Sequence, residues 1–195
     1  MGNTSPSVKT VIVAYDAQRN PSPLAPNLTQ LGYTVVATVS GHQDILHATQ
    51  TFKPQILLLT LTGSLTEKFD TIHQILALRT TAIIVVLKEW DASLAKQAMD
   101  AGVAGYVIEP FEASHISATV ESSWHHFQKL LALQDDLELR KLLEKAKGLL
   151  MKDQFMSEEE AHQAILRMSQ DQSVPLKDLC HSIIHSKQSQ GGIKK

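Results

Sequence analysis

Residues 53–63 read KPQILLLTLTG, an unbroken apolar run that stops at Thr60 and continues into a turn. The run predicts a buried strand that is followed by a loop. The carboxyl end of such a strand is where an open α/β sheet places its functional side chains. In this chain a threonine stands at that position, where a carboxylate might be expected.

The same continuous apolar character recurs in four other stretches of residues 8–111. These are TVIVAY (10–15), YTVVATV (33–39), TAIIVVL (81–87) and GYVI (105–108). Amphipathic stretches at 25–32, 43–52, 67–79 and 91–102 separate them and predict helices. Continuous apolar strands are typical of a parallel sheet that helices cover on both faces. The pattern therefore predicts an α/β, flavodoxin-like fold with a five-stranded parallel sheet.

The segment that follows the fifth strand predicts a long helix. From Phe111 to Lys147 the sequence contains no glycine and no proline, and at 1.5 Å per residue a helix of that length reaches on the order of 50 Å. Such a helix must extend beyond the sheet domain as a linker. Trp124, Phe127 and Leu131 are its predicted dimer contacts, although the apolar positions do not form a strict heptad repeat. In the alternative, both aromatic residues pack against the protein's own sheet domain.

The remaining residues predict three short helices, at 137–153, 157–169 and 175–186. Ser157 and Glu160 have the spacing of a capping box, which defines the start of the second of these helices. The polar, glycine-containing end SKQSQGGIKK predicts disorder. The predicted organisation is a sheet domain at 8–122, a helical and possibly coiled-coil linker at 123–136, a three-helix domain at 137–187 and a disordered tail at 188–195.

The composition limits the class of protein. The 195 residues are 43% hydrophobic and 19% charged, and Cys180 is the single cysteine. No apolar stretch approaches the roughly 18 residues that span a bilayer, and the first residues lack the pattern of a signal peptide. We therefore expect a cytoplasmic protein without a disulfide framework or membrane association.

Charge is distributed unevenly along the chain. Residues 1–136 carry eight basic and twelve acidic residues, whereas residues 137–195 carry ten and eight, so any polyanion is expected to meet the carboxyl-terminal part.

The sheet half resembles the receiver domains of two-component response regulators, over roughly residues 8–130. Receivers gather carboxylates around Mg²⁺, phosphorylate one of them, and complete the switch with a hydroxyl residue and a lysine. The corresponding positions here are Tyr15, Asp16, Thr60, Leu87 and Glu109. One acidic ligand of three remains, and the lysine position has the opposite charge. The resemblance thus implies a pseudo-receiver that works without phosphorylation, and the alternative is a doubly wound domain that binds another ligand in the same crevice.

The carboxyl-terminal half resembles the ANTAR domain, the RNA-binding module of AmiR/NasT-type antitermination regulators. The resemblance is carried by Arg140, Leu143, the stretch AKGLLM (146–151), and an acidic helix start that is followed by Ala161. These features occur in the family's order over about 50 residues, after a receiver-like domain as in the family.

Basic residues of the first helix of this module form the predicted RNA-binding surface. Lys141, Lys145 and Lys152 share one helix face by their spacing of four and seven residues, and Arg140 and Lys147 lie on the adjacent flank. Gly148 inside a helix costs about 1 kcal/mol relative to alanine, which indicates a close approach there, by a packed helix in preference to a nucleic-acid backbone. The full predicted set is Arg140, Lys141, Lys145, Lys147, Gly148, Lys152 and Arg167. In the alternative, the basic residues form a solvated helix face that binds no RNA, and Glu138 and Glu144 are their ordinary ion-pair partners within the helix.

The resemblance implies a dimeric antitermination regulator that binds the loops of paired hairpins in leader RNA, under the control of a ligand-sensing partner protein. No Ser/His/Asp set, glycine-rich phosphate loop or metal-ligand cluster is evident, so we expect no enzyme activity, no cofactor and no metal. Two alternatives stay open. One is a DNA-binding response regulator of the helix-turn-helix type, and the other is a protein-interaction adaptor without nucleic-acid affinity.

Overall fold

The computed structural model describes residues 9–15, 24–62 and 65–191. The chain divides into two compact units between residues 129 and 130. Within the described residues, no helix is long and apolar enough to cross a membrane.

The first unit alternates strands with helices, as predicted. The strands are β1 (Thr10–Tyr15), β2 (Thr34–Ser40), β3 (Ile56–Thr60), β4 (Ala82–Leu87) and β5 (Gly105–Ile108). The intervening helices are α1 (Leu24–Gln30), α2 (His42–Phe52), α3 (Leu65–Ala77) and α4 (Ala92–Asp100). All strand pairs are parallel and the strand order is β2-β1-β3-β4-β5. This topology confirms the flavodoxin-like sheet.

Strands β3 and β4 are buried along their whole length. Successive side chains of a strand point to opposite faces of the sheet, so burial of every residue means that both faces are covered. This is why their sequences are continuously apolar and do not alternate. In the register of this pair, Leu58 lies opposite Ile84 and Thr60 opposite Val86.

Local signals set the ends of the helices. The Asp91 carboxylate accepts a hydrogen bond of 3.0 Å from the Leu94 backbone N–H and so caps the amino end of α4. After α4 the chain turns at Gly102, whose φ of +97° suits a residue without a side chain.

Helix α5 (Ala113–Gln154) is a single element of 42 residues. It passes through residues 123–136 without a break, and the division between the two compact units falls inside that range. The absence of glycine and proline up to Lys147 accounts for its length, and Gly148 does not interrupt it. Near its start, α5 lies close to β5. The approach is so close that a Cβ atom added at Gly105 on β5 would collide with the hydroxyl of Ser123 on α5.

The second unit consists of the carboxyl-terminal part of α5, α6 (Glu158–Asp171) and α7 (Leu176–Gly191). Ala146, Ala161, Ile165 and Cys180 are fully buried in its core. The capping box is present as predicted: Ser157 Oγ accepts from the Glu160 N–H, and the Glu160 carboxylate accepts from the Ser157 N–H. Burial raises the pKa of the Cys180 thiol.

The predicted disordered tail was wrong in part. Helix α7 continues to Gly191, so residues 188–191 are helical, whereas residues 192–195 lie outside the described residues. The physical reason lies in the sequence between Ser186 and Gly191, where lysine and glutamine favour a helix and no proline stops it.

Candidate nucleic-acid interface

The carboxyl ends of the strands meet at one edge of the sheet, where a receiver carries its chemistry. Strand β3 ends at Thr60, and β4 ends at Leu87. Beyond β5, the Glu109 N–H donates a 2.8 Å hydrogen bond to the carbonyl of Leu87, which places Glu109 at the same edge. Strand β1 ends here at Tyr15, and Asp16 lies outside the described residues. The structure thus brings four of the five predicted positions to one edge.

The side chains at this edge differ from those of a phosphoryl-transfer site. Thr60 and Leu87 are buried, whereas Tyr15 and Glu109 are half-buried. Among residues 9–15, 24–62 and 65–191, no group of three His, Cys, Asp or Glu residues could hold a metal ion. A cavity of about 450 Å³ beside this edge is lined by Asn27, Lys88, Glu109, Pro110 and Phe111. Its two charged groups have opposite signs, and it offers one carboxylate.

Lys147 differs from the other predicted RNA-binding residues because its side chain is buried. The residue is only 7% exposed, and its Nζ donates to Glu144 Oε1 at 2.6 Å and to Glu158 Oε1 at 2.8 Å. Lys147 follows the buried Ala146, so it lies at the border of the core, and its ammonium group is occupied by two carboxylates. It joins α5 to the first residue of α6. Lys147 is therefore a structural residue of the second unit and is not free to contact phosphate.

The hydrogen bonds to Glu144 and Glu158 raise the pKa of Lys147 above its ordinary value of 10.5. The hydrogen bond from Lys147 lowers the pKa of Glu158 below 4.5. Both shifts favour the charged forms, so the ion pair persists at neutral pH.

Gly148 is not explained by helix packing, contrary to the preferred prediction. A side chain built at this position meets nothing within 4 Å, and the residue is exposed. The backbone of α5 is therefore accessible at this point. Of the two predicted reasons for a close approach at Gly148, a contact with a described residue of the same chain is therefore not the explanation.

Three exposed lysines form a stripe on α5, which we call the lysine face: Lys141, Lys145 and Lys152. At about 100° per residue, the three positions and Gly148 fall within roughly 60° of the helix circumference. They lie on the side opposite the buried Ala146 and Leu150. The lysine face thus combines three cations with an exposed stretch of backbone, which is suited to contact with phosphates.

The two predicted arginines lie outside the lysine face. Arg140 is exposed and is bonded to Asp136 at 2.9 Å, one helical turn earlier. Arg167 is exposed on α6. Neither is buried, so both can turn toward a ligand, but Arg140 must give up a surface ion pair to do so.

The predicted dimer contacts have different environments. Phe127 is buried and stacks near the half-buried Trp124, with ring centroids 5.8 Å apart. The burial of Phe127 within a single chain favours the alternative prediction for this residue. Leu131 is half-buried. The apolar residues that face solvent are instead Leu130, Leu133 and Leu137, at 44%, 53% and 56% exposure.

The Lys147 ion pair predicts a specific dependence of stability on pH. Because the pKa of Glu158 is lowered, the stabilisation is present above pH 4.5 and is lost as the pH falls through the lower, folded-state value. Because the pKa of Lys147 is raised, the stabilisation is also lost as the pH rises through a value above 10.5. We expect Lys147→Met to lower Tm by a few degrees at pH 7 and by less at pH 3, as measured by circular dichroism.

The matched control is Lys145→Met, an exposed lysine two residues away on the same helix. It should leave both Tm values close to those of the wild type. Equal Tm losses at pH 7 and pH 3 for Lys147→Met would show that the residue acts by packing alone.

The second unit corresponds to a known domain. The ANTAR domain family matches residues 131–184. The nitrate regulatory protein of Klebsiella oxytoca is 41% identical over 56 residues, which cover 29% of this chain and 14% of that protein. The transcriptional regulatory protein PdtaR of Mycobacterium tuberculosis is 26% identical over 185 residues, which cover 91% of this chain and 90% of that protein.

Solved receiver structures match the first unit. The signal receiver domain of a modulated diguanylate cyclase from Desulfovibrio desulfuricans G20 has a TM-score of 0.54 at 21% identity and covers 62% of this chain and 97% of that one. The receiver domain of the response regulator NarL from M. tuberculosis has a TM-score of 0.51 at 16% identity, with 60% and 98% covered. These likenesses establish the receiver fold. The first unit therefore has the receiver fold and residues 131–184 match the ANTAR domain family, an arrangement that supports a regulator of the AmiR/NasT type.

Proposed function

We propose that this protein regulates transcription antitermination by binding the unpaired loops of hairpins in leader RNA. Binding stabilises the hairpin form of the transcript, so that a downstream terminator does not assemble. The mechanism involves binding only, with no covalent step. The observation that carries the proposal is the lysine face, which is exposed on the first helix of the ANTAR domain with an open backbone at Gly148.

The lysine face is suited to a single-stranded backbone. Each phosphate that a lysine neutralises releases condensed counterions, so affinity falls with salt at a slope of about 0.7 per contact for single strands. Gly148 lets a phosphate or sugar approach α5 without meeting a side chain. Arg140 and Arg167 add exposed cations on the flank of α5 and on α6. Lys147 has no part in this surface.

The exposed leucines favour a dimer formed through α5. Leu130, Leu133 and Leu137 follow one another at spacings of three and four residues, as in the seam of a coiled coil. Each is about half exposed, so a second copy of the helix would remove substantial apolar area from water. A dimer would present two ANTAR domains, one to each of two paired hairpins. This seam takes the place of the predicted contact through Phe127.

Control is proposed to come from a partner protein that senses a ligand. The receiver-like domain places a buried Thr60 and a buried Leu87 where a phosphorylated switch needs exposed groups. Without a phosphorylation switch, RNA binding needs another means of control. A partner protein that binds the regulator and keeps it from RNA would supply that control.

The lysine face predicts how RNA affinity responds to salt. A two-hairpin leader RNA should bind the wild-type protein more tightly than a double-stranded promoter DNA at matched salt. Replacing Lys141, Lys145 and Lys152 together by glutamine should lower the RNA affinity at least about tenfold. It should also reduce the slope of log K against log salt by about 2, since three contacts are lost. Filter binding over a salt series measures both quantities.

The matched control replaces three exposed lysines of the first unit, Lys88, Lys96 and Lys129, by glutamine. This variant has the same net charge and should keep the RNA affinity. Tighter binding to the promoter DNA would favour a DNA-binding regulator, and no binding to either nucleic acid would favour an adaptor.

The leucine seam predicts the oligomeric state. Leu133→Asp should convert a dimer to a folded monomer, because two buried carboxylates without partners oppose association. Light scattering after size-exclusion chromatography measures the mass, and Leu65→Asp, an exposed leucine of α3, is the control. A wild-type protein that remains monomeric at high concentration would contradict the seam.

The pseudo-receiver predicts that phosphodonors have no effect. Acetyl phosphate with Mg²⁺ should neither label the protein nor change its RNA affinity, and mass spectrometry of the intact chain detects a phosphoryl group directly. Labelling that Asp16→Ala abolishes would instead show that the receiver is active.

A further inference from the structure

Phe155 lies in the short turn between α5 and α6 and is almost completely exposed. Its accessible surface is 95% of the maximum, and it is the single aromatic residue of residues 130–195. The next residue, Met156, is half-buried and packs against the core of the second unit. The turn therefore partly buries the side chain of Met156 and leaves the phenyl ring of Phe155 in water.

The backbone at Phe155 is also unfavourable for this residue type. Its φ is +53°, in the left-handed region that glycine and asparagine adopt more readily than a bulky side chain. Glycine at this position would relieve the backbone strain and remove the exposed ring. Neither stability of the turn nor packing of the core accounts for a phenylalanine here.

A cavity of about 470 Å³ opens beside the ring. It is lined by Phe155, Met156, Glu159, Glu160, Gln163 and Arg167, among others. The phenyl ring and the methionine supply apolar surface, the Gln163 amide can donate and accept hydrogen bonds, and Arg167 supplies a cation at the rim. An aromatic ring beside hydrogen-bonding side chains is the combination by which proteins recognise an unstacked base.

The charges decide which part of a nucleotide the cavity suits. The Glu160 carboxylate accepts hydrogen bonds from the backbone N–H and the hydroxyl of Ser157, both at 2.8 Å. The backbone bond, followed by the hydroxyl bond, lowers the pKa of Glu160, so this group stays ionised. Glu159 adds a second carboxylate, bonded to Gln163 at 3.3 Å. Two carboxylates repel a phosphate but can accept hydrogen bonds from the amino groups of a base.

The residues that line the cavity follow the lysine face in the sequence. Lys152, the last lysine of that face, lies three residues before Phe155. A single strand whose phosphates contact the lysine face therefore arrives near the end of α5 with its bases unpaired. Aromatic rings that project from protein surfaces commonly stack on such bases.

We propose that the Phe155 cavity binds one unpaired nucleobase of the RNA loop, stacked on the phenyl ring, with Arg167 contacting an adjoining phosphate. The proposal rests on the proposed RNA-binding function and adds the residue that recognises a base. Phe155 and Gln163 were not among the predicted RNA-binding residues, although Phe155 stands only two residues before the capping-box Ser157 in the sequence.

The test measures binding to a pool of stem-loop RNAs that share one stem and carry randomised loops, with the blunt stem duplex as the comparison. Phe155→Gly should lower the loop-dependent affinity roughly five- to hundredfold, the range that stacking on one base supplies. For this variant, the slope of log K against log salt concentration should stay unchanged because no charge is lost. Its Tm should equal or exceed that of the wild type. Phe155→Ala tests the ring without adding glycine's backbone freedom, and Phe155→Trp should restore the affinity.

Two further variants separate stacking from charge and from general apolar contact. Arg167→Gln should reduce the salt slope by about 0.7, the value for one phosphate contact to a single strand. Phe52→Ala removes a half-exposed phenylalanine of the first unit and should leave RNA affinity unchanged. A fluorescent 2-aminopurine at the responsive loop position should be quenched by the wild type and not by Phe155→Gly.

The outcomes distinguish this proposal from the proposed function. If the wild type binds the loops and Phe155→Gly and Phe155→Ala bind equally well, the base site is wrong and the RNA-binding function stands. If the wild type prefers no stem-loop over the blunt duplex at low salt, both are wrong.

Discussion

Burial of one side of α5 in the core of the second unit determines what the rest of that helix can do. Ala146 and Leu150 point into the core, and the angle of about 100° between successive residues then assigns every other position. Lys141, Lys145 and Lys152 are directed to solvent. Lys147, directly beside Ala146, is held at the edge of the core, where an unpaired ammonium would be costly and two carboxylates neutralise it. Apolar spacing thus selects which lysines can meet a polyanion.

The receiver-like unit has the receiver architecture and an edge at which buried side chains follow the strands. Strands β3 and β4 are buried on both faces, so the sheet needs apolar side chains along its length whatever stands at its edge. At that edge Thr60 and Leu87 extend the apolar interior by one more residue. A carboxylate at the place of Thr60 would require a cation or hydrogen-bond donors to offset its desolvation. The buried Thr60 places no ionised group in this interior and needs no such partners.

The sequence predicted most of the fold because the signals are local. Continuous apolar runs located the five strands, a stretch without glycine or proline located α5, and Ser157 with Glu160 located the start of α6. The site was predicted less well because its geometry depends on contacts between elements. The partner of Lys147 on α6 is eleven residues away, beyond a turn, so helical spacing alone could not reveal it. Likewise, the apolar positions of α5 slip between registers, and only packing separates the buried Phe127 from the exposed Leu130.

The burial of Cys180 also bears on how the second unit can be studied. The single thiol of the chain lies at zero exposure among the side chains that join α5, α6 and α7, and burial keeps it protonated at neutral pH. Oxidants and alkylating reagents react with an accessible thiolate. Modification of this residue therefore requires the three helices to separate, and its rate under native conditions reports the free energy of that opening. The protein thus carries an internal probe of the stability of its ANTAR domain, without any engineered label.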